Sequence, residues 1–98
     1  MGQLAFFKIF LIVAMSSDIN DNRKHVHIFK KGGRHRTSLA KIWVESNGEK
    51  KIEIDYSFLS TKENEMLINV IDRNWTFIIN QIDKTFKGKK TIMKNLGK

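Results

Sequence analysis

The sequence predicts an α+β domain, an antiparallel meander of about four strands packed by one long C-terminal helix. Three observations carry that expectation. Lys51-Ile-Glu-Ile-Asp-Tyr56 alternates charged and apolar residues, as a half-buried strand does. Asn47-Gly48 lies between two such runs, where a tight hairpin turn needs positive φ at both positions. Beyond Ser60, apolar residues recur at helical spacing: Leu67, Val70, Ile71, Trp75, Ile78, Ile79, Ile82 and Phe86 form one stripe. A chain of 98 residues holds one modest core, so residues 1–98 form a single domain.

Taken in order, Phe6 to Met15 mixes β-branched and aromatic residues without a break and predicts a first strand covered on both faces. The run is too short to span a bilayer, which needs about 20 apolar residues, and Lys8 inside it argues against a signal peptide. Ser16 to Asn22 is dense in turn-formers and predicts a loop. Lys24 to Phe29 predicts the second strand, closed by a turn at Gly32-Gly33. Arg34 to Glu45 is the return strand, with Ala40, Ile42 and Val44 on one face and Lys41, Trp43 and Glu45 on the other. In the next strand Ile52, Ile54 and Tyr56 point inward. Ser60-Thr-Lys-Glu63 is a capping box opening the helix, and Gly88 stops it. A straight helix over Thr61–Lys87 would outrun a four-stranded sheet, which predicts a bend near Asn74 or an overhang used in a homodimer. Ile68 and Phe77 lie off the stripe. The basic tail, residues 88–98, is expected to be mobile.

Charge is segregated. The net charge is +8, yet Glu45 to Asp83 holds eight acids against four bases. Between Asn22 and Val44 there is no acid, while Arg23, Lys24, Lys30, Lys31, Arg34, Arg36 and Lys41 are basic. After Asp83 there is again none, and Lys84, Lys87, Lys89, Lys90, Lys94 and Lys98 follow. Two basic blocks favour a polyanion partner, a nucleic acid first and an acidic protein second. The chain contains no cysteine, which excludes disulfides and thiol catalysis and fits a reducing cytoplasm.

The ordered set of His25-Val-His27, Ala40-Lys-Ile-Trp-Val-Glu45, Phe58-Leu-Ser60 with Glu63, and Asn74 through Ile78-Ile79 to Phe86-Lys-Gly88 resembles a small bacterial family, domain of unknown function 4160. The family's prolines before the first histidine are replaced here by Arg23-Lys24, and its late-helix tryptophan by Ile82. The resemblance implies a compact cytoplasmic α+β protein without an established activity. Its members often look like one half of a pair of small adjacent genes, in the manner of toxin–antitoxin modules.

The candidate site is the histidine strand. In an extended chain Val26 and Ile28 point one way and His25, His27 and Phe29 the other. Either the valine and isoleucine face the core and both imidazoles face solvent, or Phe29 and Trp43 lie under the helix and draw the histidines in with them. Solvent-facing histidines are the favoured arrangement; burial beneath the helix is the favoured place for Trp43. Three chemistries follow. Arg23, Lys24, His25, His27, Lys30, Lys31, Arg34 and Arg36 would hold RNA phosphates, with Phe29 or Trp43 stacking on a base. Alternatively His25 and His27 would act as base and acid in metal-independent RNA cleavage, with Lys41 or Arg36 stabilising the transition-state charge. A metal held by His25, His27 and His35 is the weakest reading. An acidic small protein would satisfy the same basic blocks, through charge or by adding a strand to an open sheet edge. No cofactor is implied, and no phosphate-cradling glycine loop is present; nucleophilic serine catalysis has no support either, because there is no Gly-x-Ser-x-Gly elbow.

Overall fold

The computed structural model describes residues 2–14, 24–30, 38–91 and 93–97. The chain runs β1 (Gly2–Phe7), β2 (Phe10–Ala14), β3 (His25–Lys30), β4 (Ala40–Ser46), β5 (Glu49–Ser57), α1 (Thr61–Arg73), α2 (Trp75–Phe86) and β6 (Lys94–Asn95). The strands form one sheet in the order β5-β4-β3-β2-β1-β6. Sequential strands from β1 to β5 pair antiparallel, and β6 joins β1 in parallel. This is the α+β meander under a helical cover that the patterning predicts. The loop read at Ser16–Asn22, the turn at Gly32-Gly33 and the first part of the return strand lie outside the described residues.

The first apolar run is a hairpin and not the single strand expected over Phe6–Met15. β1 and β2 join at Lys8-Ile9, with Phe7 opposite Phe10. Lys8 takes φ 55°, a conformation natural to glycine that costs other residues about 1 kcal/mol. No glycine, asparagine or aspartate marks this turn, so turn chemistry in the sequence does not announce it. β2 is nonetheless buried on both faces, as the unbroken apolar run predicts: Ile12 and Val13 are consecutive and both fully buried.

The hairpin predicted at Asn47-Gly48 forms, with φ 53° and 82° and Ser46 opposite Glu49. β5 has nine residues against seven in β4, and two register shifts absorb the difference. Lys41 and Ile42 pair with Tyr56 and Ile54, and Trp43 and Glu45 pair with Glu53 and Lys50. An extra residue in a strand reverses its alternation beyond the bulge. Ile52 and Ile54 therefore pack against the core as expected. Tyr56, expected inward with them, lies opposite Lys41 and is exposed.

The helical segment begins at the predicted capping box. Ser60 Oγ accepts from the Glu63 amide at 3.1 Å, and Glu63 Oε1 accepts from the Ser60 amide at 3.0 Å. The predicted bend falls at Asn74, which leaves helical geometry (φ −116°, ψ 22°). Its side-chain amide donates to the Val70 carbonyl at 2.8 Å and so occupies the end of α1. A straight helix of that sequence would run about 40 Å, longer than the molecule's greatest extent of 30 Å. Beyond the bend, Trp75 donates its indole N–H to the Val44 carbonyl at 2.8 Å, where the ladder to β5 skips a residue. α2 closes with a left-handed Gly88 (φ 70°), whose amide reaches the Thr85 carbonyl while that of Lys89 reaches Lys84.

Both helices cover one face of the sheet. Val26, Ile28, Ala40, Ile42 and Val44 meet the helical stripe of Leu67, Val70, Ile71, Ile78, Ile79 and Ile82 there. Phe77, off the stripe, packs partly against the same core. The tail docks in part where mobility was expected: Lys94 and Asn95 pair with Ala5 and Phe6 of β1, and Leu96 is buried.

Candidate nucleic-acid interface

Because Val26 and Ile28 face the helices, the pleat of β3 sends His25, His27 and Phe29 to the opposite face. Strand pairing decides what they meet there. His25 lies across from Trp43, and His27 lies between Val13 of β2 and Lys41 of β4. Lys41 in turn lies across from Tyr56. One cross-strand row thus reads Val13, His27, Lys41, Tyr56, and the neighbouring row reads His25, Trp43, Glu53.

The two imidazoles do not share the solvent-facing role expected of them. His25 is only 3% exposed. Its ring meets Trp43 edge-on at 4.9 Å between centroids and His27 at 5.2 Å. Val13 and Phe29 on the same face are buried too. His25 is consequently a packed residue on the helix-distal side of the sheet. Trp43, expected under the helix, stands on that side as well, half-buried.

His27 is half-buried and oriented. Its Nδ1 lies 3.1 Å from Ser38 Oγ, and that hydroxyl donates to the Ala40 carbonyl at 2.9 Å. A hydroxyl has one proton to give, so towards His27 it accepts, and Nδ1 carries the imidazole proton. The sequence does not announce Ser38, because a serine two residues before a strand carries no signal there.

Lysines at the site are divided between structure and surface. Lys24 Nζ lies 2.9 Å from Asp83 of α2 and 3.5 Å from Glu45 of β4. Burial by itself would lower its pKa, but the hydrogen bond and charge of Asp83, joined by Glu45, outweigh it and hold the ammonium above its ordinary value. Lys24 is thus a tie between β3, β4 and α2, where the sequence suggested a phosphate contact. A pKa raised on folding contributes stability that is complete below the unfolded value of about 10.5 and is lost as pH rises through the folded value. The stability gap between wild type and Lys24→Met is expected to hold at neutral pH and to close above about pH 10.5. Denaturant titrations at several pH values measure it; a gap that widens at high pH would contradict the assignment.

Lys41, the candidate for transition-state stabilisation, sits with Nζ 4.4 Å from the Trp43 ring centroid and 3.7 Å from Asp55. Lys30 is exposed at the end of β3. Arg23, Lys31, Arg34, His35 and Arg36 lie outside the described residues. So does the third ligand of the metal reading; among the described residues no group of three or more His, Asp or Glu could hold a metal ion.

Two exposed aromatics complete this side. Tyr56 is 38% exposed and Phe58 78%, their rings 5.8 Å apart and tilted. In the sequence Phe58 carries only a helix-start signal and alternation assigns Tyr56 to the core; the bulge in β5 is what turns the tyrosine outward. No helix of the described residues is long and apolar enough to cross a membrane. No family model, curated protein or solved structure matches the chain.

Proposed function

We propose that this protein is a non-enzymatic module that binds single-stranded RNA on the sheet face turned away from its helices. The observation that carries the reading is the row of His27, Lys41 and Tyr56 across three strands, with Trp43 beside Lys41 and Phe58 beside Tyr56. Aromatic rings offer stacking platforms for unpaired bases, and sheet faces bearing them are a general way of holding single-stranded RNA. Lys30 is exposed at the end of β3, and Arg23, Lys31, Arg34 and Arg36, outside the described residues, would supply further phosphate contacts. The resemblance adds a setting, the cytoplasm, and a place as one half of a toxin–antitoxin-like pair.

Cleavage by a histidine pair needs both rings at one phosphate, and the burial of His25 weighs against it. Strand addition by a protein partner is disfavoured at β5, an edge carrying two register shifts and the exposed charges of Glu49, Lys50, Lys51, Glu53 and Asp55.

Affinity for a short single-stranded RNA is expected to fall steeply between 50 and 200 mM salt, roughly tenfold or more for each few phosphates neutralised. Fluorescence anisotropy with a labelled oligonucleotide measures the slope. A flat salt dependence, or no binding at low salt, would refute the proposal. Pull-down from host lysate with and without nuclease separates the partner classes: an acidic small protein recovered in near-equal amount after nuclease treatment would assign the basic blocks to a protein.

A further inference from the structure

Part of the second basic block lines a groove along α2, on the helix side of the sheet and so away from the face described above. Phe77, Asn80, Gln81, Asp83, Lys84, Lys87 and Lys89 line a cavity of about 540 Å³. From the side of β6, Lys94 brings its ammonium 5.1 Å from the Phe77 ring centroid. The acid in this lining is committed elsewhere, since Asp83 is held by Lys24 at 2.9 Å. Lys84, Lys87 and Lys89 therefore give the groove an excess of positive charge.

The lining is also polarised along the helix. At one end stand an aromatic ring and two amides, Phe77, Asn80 and Gln81; at the other stand Lys84, Lys87 and Lys89. Ten residues of helix separate Phe77 from Lys87, about 15 Å at 1.5 Å per residue. That is the span from the base of a nucleotide to the end of its phosphate chain. Volumes of about 300–1,000 Å³ are those of small-ligand sites. The carbonyls at the end of α2 do not oppose an anion fully, because the Gly88 and Lys89 amides already occupy two of them.

We infer that this groove binds a nucleotide, with its base against Phe77 and the neighbouring amides and its phosphates on Lys84, Lys87 and Lys89. The chemistry has two sources, a free nucleoside triphosphate or the phosphorylated end of an RNA strand. The inference stands apart from the RNA reading above, because it uses none of the same side chains.

Calorimetry at low salt tests it with ATP, inorganic triphosphate and adenosine as probes. ATP is expected to bind more tightly than triphosphate, and triphosphate more tightly than adenosine. The Lys84→Gln/Lys87→Gln/Lys89→Gln variant, at one half-buried and two exposed positions, is expected to weaken ATP about tenfold or more. Phe77→Leu, which keeps the apolar packing, is expected to reduce ATP to the affinity of triphosphate. Tyr56→Ala/Phe58→Ala is expected to leave ATP binding unchanged, so loss of the sheet-face site and loss of this one are read separately. An RNA oligonucleotide with a 5′-triphosphate that outcompetes both ATP and its 5′-hydroxyl counterpart assigns the site to a strand end; ATP winning assigns it to the free nucleotide. Unchanged ATP affinity in the triple variant, or no ATP binding by wild type at low salt, would overturn the inference.

Discussion

Replacing Tyr56 and Phe58 together with alanine is expected to weaken single-stranded RNA binding by about 1–3 kcal/mol for each lost stack. For the pair this is roughly thirtyfold or more. Both rings are exposed, 38% and 78%, and neither belongs to the core. Stability should therefore move by no more than about 0.5 kcal/mol. The salt slope should also stay where it is, because no phosphate contact is removed. That combination separates a stacking role from a fold defect, which would lower the thermal midpoint, and from a purely electrostatic surface, which would leave affinity intact. Anisotropy titrations at two salt concentrations with a melting curve give all three readings, and unchanged affinity would remove the sheet face from the binding site.

Ile42→Ala is expected to have the largest effect on stability. Ile42 is fully buried on the helix side of β4, in register between Val26 of β3 and Ile54 of β5. Truncating such a residue costs about 2–5 kcal/mol, from lost transfer free energy and from the cavity left behind. That is a large share of the roughly 5–15 kcal/mol that holds a small domain folded. At about 4–8 °C per kcal/mol the midpoint should drop by at least about 8 °C. Ile54→Ala, at a half-buried position one strand nearer the edge, should cost less. Equal costs at the two sites would mean that the helices do not cover β4 and β5 as described.

Local signals were legible wherever a residue's own chemistry dictates backbone geometry. The Asn47-Gly48 turn, the Ser60–Glu63 capping box and the glycine stop at Gly88 all stand where the residues put them, whereas the bend at Asn74 follows from helix length, which left a dimer overhang equally open. The Lys8-Ile9 turn was illegible for the opposite reason. A lysine there accepts positive φ only because the flanking strands impose it, and nothing in its own preference records that.

The site shows the same division. Two-residue alternation determined that Val26 and Ile28 share a face and that His25 and His27 share the other. Which rings water reaches was a matter of neighbours: Trp43 against His25, and Ser38 against His27. Counting charges along the chain identified the basic blocks but could not show that Lys24 is taken up by Asp83, an acid from the far side of the acidic middle. Nor could alternation foresee Tyr56, whose direction depends on an extra residue in β5.

By itself, then, the sequence determined the β3–β5 meander, the start and stop of the helical segment and the two faces of β3 and β4, because φ, ψ and side-chain period are properties of a residue and its immediate neighbours. The tertiary structure alone decided which cations remain available to a ligand, which aromatics reach solvent and which histidine is sealed. Those depend on contacts between residues far apart in the chain, and burial and ion pairing exist only once the strands and helices have met.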